Sequence, residues 1–206
     1  MPMNKAIDLY LTKLRDKHTD REGFQQNAHM ISNLMAQQTL LHIKTKDVEI
    51  ETPVTPTDGL ERVQEVVLVP ILRAGITMLP AFLHYFPGSD IAIVGLKRDE
   101  KTAIAHRYYD NFPPLNKNQQ IIILDPMIAT GGTGLATLNL LQEKGIEQKQ
   151  ILFISIVSAP EGIAAIKSKF PDITIITAAT DEKLNDKKFI VPGLGDFGDR
   201  YFGTLD

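Results

Sequence analysis

The run Ile121-Ile122-Ile123-Leu124-Asp125-Pro126-Met127-Ile128-Ala129-Thr130-Gly131-Gly132-Thr133-Gly134 constrains this chain more than any other. Consecutive aliphatic residues predict a strand buried on both faces. An acid ends it, a Thr/Gly-rich turn follows, and an apolar helical pattern starts at Leu135. Gly131, Gly132 and Gly134 permit positive φ and close approach of the backbone, so successive N–H groups can converge on an anion. Thr130 and Thr133 add hydroxyl donors, and the start of the next helix adds partial positive charge. Asp125 would repel a phosphate but suits the hydroxyls of a sugar. The expected ligand therefore carries both ribose and phosphate. No lysine follows the glycines, so this is not a Walker A loop, and the pattern G-x-G-x-x-G is absent here.

The run resembles the PRPP-binding signature of the type I phosphoribosyltransferases, a hydrophobic strand and an acidic residue followed by A-T-G-G-[ST]. Most members carry two adjacent acids; Asp125-Pro126 looks like the uracil phosphoribosyltransferase branch. Two further segments are similar to that branch. In Val69-Pro70-Ile71-Leu72-Arg73-Ala74-Gly75 an arginine sits between aliphatic and small residues, an unlikely place for a solvated charge. Its guanidinium presents paired donors suited to a phosphate. In Phe189-Ile190-Val191-Pro192-Gly193-Leu194-Gly195-Asp196-Phe197-Gly198-Asp199-Arg200-Tyr201-Phe202-Gly203-Thr204, exposed glycine backbone can match the alternating carbonyl and N–H edges of a pyrimidine.

Around these segments the chain alternates. Strand patterns at 66–70, 91–96, 121–124, 151–157 and 173–177 are separated by helical ones, the last beginning with Pro160 and Glu161. That order predicts an α/β protein with a parallel sheet flanked by helices, and ligands in such sheets bind at the carboxyl ends of strands. Residues 4–42 read as two helices, the second opened by a capping box at Thr19-Asp20-Arg21-Glu22. An extended arm at 48–55, with a loop after it, completes an N-terminal portion over 1–60. Residues 99–114 read as one long irregular insertion, a candidate lid carrying Thr102, His106, Arg107, Tyr108 and Tyr109. Relative to the family it has Ala105 where proline is common, and the chain lacks the His-Pro-Leu that many members show near the start.

Composition narrows the function. The 206 residues with 43% hydrophobic content suit one domain, 1–206, closed by a tail at 187–206. A net charge of −3 argues against general nucleic-acid binding. The absence of cysteine excludes disulfides and thiolate metal sites, and the five histidines show no metal-ligand spacing. No apolar leader opens the sequence and no run is long enough to span a membrane, so the expected compartment is cytoplasmic.

The resemblance implies a type I phosphoribosyltransferase fold and transfer of the phosphoribosyl group of PRPP to uracil, yielding UMP and pyrophosphate. It implies PRPP contacts from Arg73, Arg98, Asp125, Pro126, Met127, Ile128, Ala129, Thr130, Gly131, Gly132, Thr133 and Asp196. Uracil would meet Ile190, Gly195, Asp196 and Phe197, and catalysis would rest on Arg73, Arg98, Asp125 and Asp196. Mg²⁺ is expected mainly through PRPP, with GTP as a possible effector and a homodimer or homotetramer as the assembly. Two other readings stay open at this point: a nucleotide-sensing regulatory RNA-binding protein of the same fold, and a purine phosphoribosyltransferase.

Overall fold

Alternate residues of the central strands go to opposite cores. Val66, Leu68, Ile122, Leu124, Leu152 and Ile154 pack on one side of the sheet, while Val67, Val69, Ile121, Ile123, Ile151 and Phe153 pack on the other. Side chains alternate across a strand, so continuous aliphatic runs serve both faces at once. The computed structural model describes residues 2–98 and 105–204.

Helices α1 (Pro2–Arg15) and α2 (Arg21–Thr39) lead into a hairpin of β1 (Thr45–Glu51) and β2 (Pro56–Arg62). After β3 (Val66–Leu72), a 3-10 turn at Ala74–Thr77 precedes α3 (Leu79–Tyr85), β4 (Asp90–Ile91) and β5 (Ile93–Arg98). There follow β6 (Ala105–Asn111), β7 (Gln120–Leu124), β8 (Met127–Ile128) and α4 (Gly132–Glu143). The chain continues through β9 (Ile151–Ser158), α5 (Pro160–Lys169) and β10 (Thr174–Thr180). It closes with β11 (Lys183–Leu184), β12 (Ile190–Val191) and α6 (Phe197–Phe202). The main sheet runs β10-β9-β7-β3-β5-β6, with α1, α2 and α3 contributing to the core on one face and α4 and α5 to that on the other.

Four expectations change. The sheet is not wholly parallel, because β6 pairs antiparallel with β5 at the edge. Residues 105–111 are therefore strand and not part of an irregular insertion. The side chains of 106–109 are all exposed and show no alternation to read, yet Tyr108 lies so close over Gly95 that a β-carbon there would come within 2.7 Å of its ring. Residues 99–104 of the expected lid, Thr102 among them, lie outside the described residues. The loop expected after the N-terminal arm is the second strand of a hairpin, its turn held by Thr52, whose hydroxyl accepts from the N–H groups of Val54 and Thr55 at 3.1 Å. Pro56 opens that strand on an exposed ribbon, where a missing N–H costs little. Finally, α2 is capped by Asp20, which accepts from the Gly23 N–H at 2.8 Å, and not by Thr19. No helix among the described residues is long and apolar enough to cross a membrane.

Candidate functional site

In chain order the sheet grows from β3 to β5 on one side and then returns to β7 on the other. Strand order thus reverses between β3 and β7, and at such a point the loops leaving the two strands diverge and open a crevice. Here those loops are Arg73–Gly75 and Asp125–Thr133. Ile71, Leu72, Arg73 and Ala74 face Asp125, Met127 and Ala129–Thr133 across it.

Arg73 follows a cis Leu72–Arg73 peptide, and its side chain is 60% exposed. Two residues on, Gly75 touches the other wall: a β-carbon added there would sit 2.1 Å from the carbonyl oxygen of Leu124. No side chain fits in that gap. Gly75→Ala is expected to destabilise the fold by about 1–3 kcal/mol through forced separation of the two loops, and a denaturant titration checks it.

On the opposite wall, Asp125 accepts from the Met127 N–H at 3.4 Å and from the Thr133 hydroxyl at 3.3 Å. Both contacts are long and leave the carboxylate with capacity to accept more. Its removal from water outweighs them and pushes its carboxyl up to about 6. Gly131 has φ +79° and caps α4, which starts at Gly132 and not at Leu135 as the sequence suggests. A left-handed residue stops the loop backbone and starts the helix within one step, so Thr133 lies in the first helical turn. The dipole of that helix opens onto the crevice beside Thr130. Two of the expected contacts turn inward. Pro126 is buried, its carbonyl accepting from Ile156 and Val157, and Ile128 is a core residue beside β9.

The tail residues do not line this crevice. Ile190 and Phe197 are core residues, 5% and 2% exposed, and the Phe197 ring meets Phe24 edge-on at 5.2 Å. Only their main chain is left for a ligand. Asp196 caps α6 by accepting from the Asp199 N–H at 2.9 Å, while Gly195 and Asp196 are both exposed. The link to the crevice is Asp199, whose carboxylate lies 3.6 Å from Arg73, with the Phe202 ring 5.7 Å from the same guanidinium. Arg200 holds the tail down: it donates to the carbonyls of Leu14, Leu194 and Asp16 and lies 4.4 Å over Phe24. Burial lowers its pKa. Neither Asp199 nor Arg200 stands out in the sequence, because Arg73, which meets the one, and Leu14 and Asp16, which anchor the other, are far along the chain. The backbone of Arg98 ends β5, and its side chain lies outside the described residues.

The chain matches the uracil phosphoribosyltransferase family profile over residues 1–204. It is 44% identical over 195 residues to a uracil phosphoribosyltransferase of Dictyoglomus turgidum, covering 94% of this chain and 93% of that one. The AQ2163 protein of Aquifex aeolicus superposes with a TM-score of 0.86 at 32% identity, over 95% of this chain and 93% of that structure. An adenine phosphoribosyl transferase from Trypanosoma brucei shares the fold at 14% identity, with a TM-score of 0.52 over 79% of this chain and 68% of that one.

Proposed function

Because the chain belongs to the uracil phosphoribosyltransferase family, we propose that the crevice between β3 and β7, with the 190–197 tail beside it, is where the 5-phosphoribosyl group of PRPP passes to uracil, giving UMP and pyrophosphate. The observation that carries this reading is the reversal of strand order, which sets Arg73 opposite Asp125 and the 129–133 loop. In it, the amides of Ala129–Thr133 and the start of α4 receive the 5′-phosphate. Asp125 accepts from the ribose hydroxyls. Arg73 and Arg98 clamp the pyrophosphate. Uracil N1 attacks the anomeric carbon as the carbon–oxygen bond to pyrophosphate breaks, with inversion and loss of the N1 proton. Negative charge grows on the leaving group while the ribose becomes oxocarbenium-like, so the chain contributes positioning and fixed charge. Asp196 orients the base with the carboxylate oxygen not engaged in capping α6, and Gly195 and Phe197 offer main chain.

Among the described residues no three His, Cys, Asp or Glu side chains gather to cage a metal. In this reading Mg²⁺ arrives on PRPP, since the ion keeps water and substrate phosphates as ligands and asks for few carboxylates. When bound it neutralises phosphate charge. For assembly the reading takes a homo-oligomer, in which a partner would cover the exposed Ile50, Val54 and Leu60 of the β1–β2 hairpin.

Radiolabelled uracil with PRPP and Mg²⁺ should yield UMP, with hypoxanthine, guanine, cytosine and orotate competing poorly. Nucleotide formed from a purine but not from uracil would overturn the reading. The relatives that run the length of the chain favour neither a purine substrate nor RNA-binding regulation.

A further inference from the structure

Gly193 stands between the last strand of the tail and its exposed Gly195-Asp196 step, and side chains hold both of its main-chain groups. Asp181, just past the end of β10, accepts from the Gly193 N–H at 2.8 Å. Arg15, at the end of α1, donates to the Gly193 carbonyl at 2.9 Å. The two side chains also bind each other, with Arg15 Nη1 and Nη2 donating to the Asp181 oxygens at 2.8 and 2.6 Å. Burial raises the Asp181 carboxyl, but the Arg15 contacts and the Gly193 N–H more than offset it and leave the carboxyl below its usual range. The Asp181 side chain is 4% exposed. Its own N–H donates to Ser158 at the end of β9, so the pair is referenced to the main sheet. One residue further, Arg200 takes the carbonyl of Leu194 at 2.7 Å. Consecutive carbonyls are thus fixed by two arginines. The N–H and C=O of Gly195, next in line, make no hydrogen bond among the described residues.

Charge-assisted bonds on both groups of one residue fix the direction of the peptides that follow it more tightly than apolar packing would. We propose that Arg15 and Asp181 are positioning residues for the base: by gripping Gly193 they aim the main chain of Leu194–Asp196 at the uracil edge, and so set affinity for uracil and leave that for PRPP alone. This rests on the reading that the 190–197 tail takes the base. A purely structural ion pair would change both substrates together or neither.

Steady-state kinetics with each substrate varied in turn separates the two roles, using Arg15→Ala, Arg15→Lys and Asp181→Asn, with Asp196→Asn as a reference for the tail. Misaiming a binding edge should raise the KM for uracil on the order of tenfold in Arg15→Ala and Asp181→Asn, with the KM for PRPP held within about twofold. Arg15→Lys should recover part of the loss, since an ammonium still meets Asp181 but lacks the fork that reaches Gly193 as well. Should Arg15→Ala fail to fold, Arg15→Lys and Asp181→Asn carry the test, with thermal unfolding as the check on structure. Parallel losses for both substrates, or an unchanged uracil KM in folded Arg15→Lys, would overturn the proposal. If Asp196→Asn raises the uracil KM while the Arg15 and Asp181 variants do not, this proposal alone fails. If Asp196→Asn also leaves it unchanged, the base-binding role of the tail fails and takes the proposal with it.

Discussion

Arg73→Ala is expected to lower turnover on the order of 10²-fold or more, because it removes a fixed positive charge from the place where the leaving pyrophosphate becomes negative. The stability cost should be small. The side chain is largely exposed, its ion pair with Asp199 is long at 3.6 Å, and exposed pairs of that kind contribute little. A folded, inactive variant is therefore the predicted phenotype. Pyrophosphate release on mixing uracil with PRPP measures it, and near-normal release would remove Arg73 from the proposed clamp.

The second large effect concerns Asp125→Asn. Asparagine preserves the shape but offers one acceptor where the ionised carboxylate offers two, so PRPP binding should weaken on the order of tenfold while uracil binding changes less. Titration calorimetry with each ligand distinguishes the two, and equal losses would count against a ribose contact. The same substitution should alter the pH dependence of the ligand-free protein. Burial raises the carboxyl from 3.8 to about 6, so the folded state binds the extra proton between those values. Its contribution to stability is complete below about pH 4 and is lost as pH rises through about 6. Asp125→Asn removes that slope, and denaturant midpoints for the two proteins at pH 4 to 7 reveal it. PRPP affinity of the unsubstituted protein should rise over the same interval as the carboxylate ionises.

Legibility in the sequence followed burial. The strands at β3, β7 and β9 are aliphatic on both faces, and such runs announce themselves wherever they occur. The hairpin at β1–β2 and the edge strand β6 bury almost nothing, so no periodicity marks them; their regularity comes from pairing with a neighbour. A similar split runs through the site. Asp125 and the glycines after it are contiguous, and their chemistry could be inferred from neighbours in sequence. The clamps on the tail could not, since Arg15 and Asp181 stand 166 positions apart and meet only when the fold brings the end of α1 to the residue after β10. Phe197 shows the same limit at a single residue: its place in a glycine-rich stretch says nothing of where its ring goes, and the ring completes a core with Phe24 and Tyr201.

The absent side chain at Gly75 fixes a length. With bare backbone abutting the Leu124 carbonyl, the walls of the crevice already stand as near as atoms allow. On the proposed reading that separation is a calliper for the span from sugar to leaving group. A side chain at position 75 could only force the jaws apart, so bringing the two loop roots nearer would demand a different arrangement of strands.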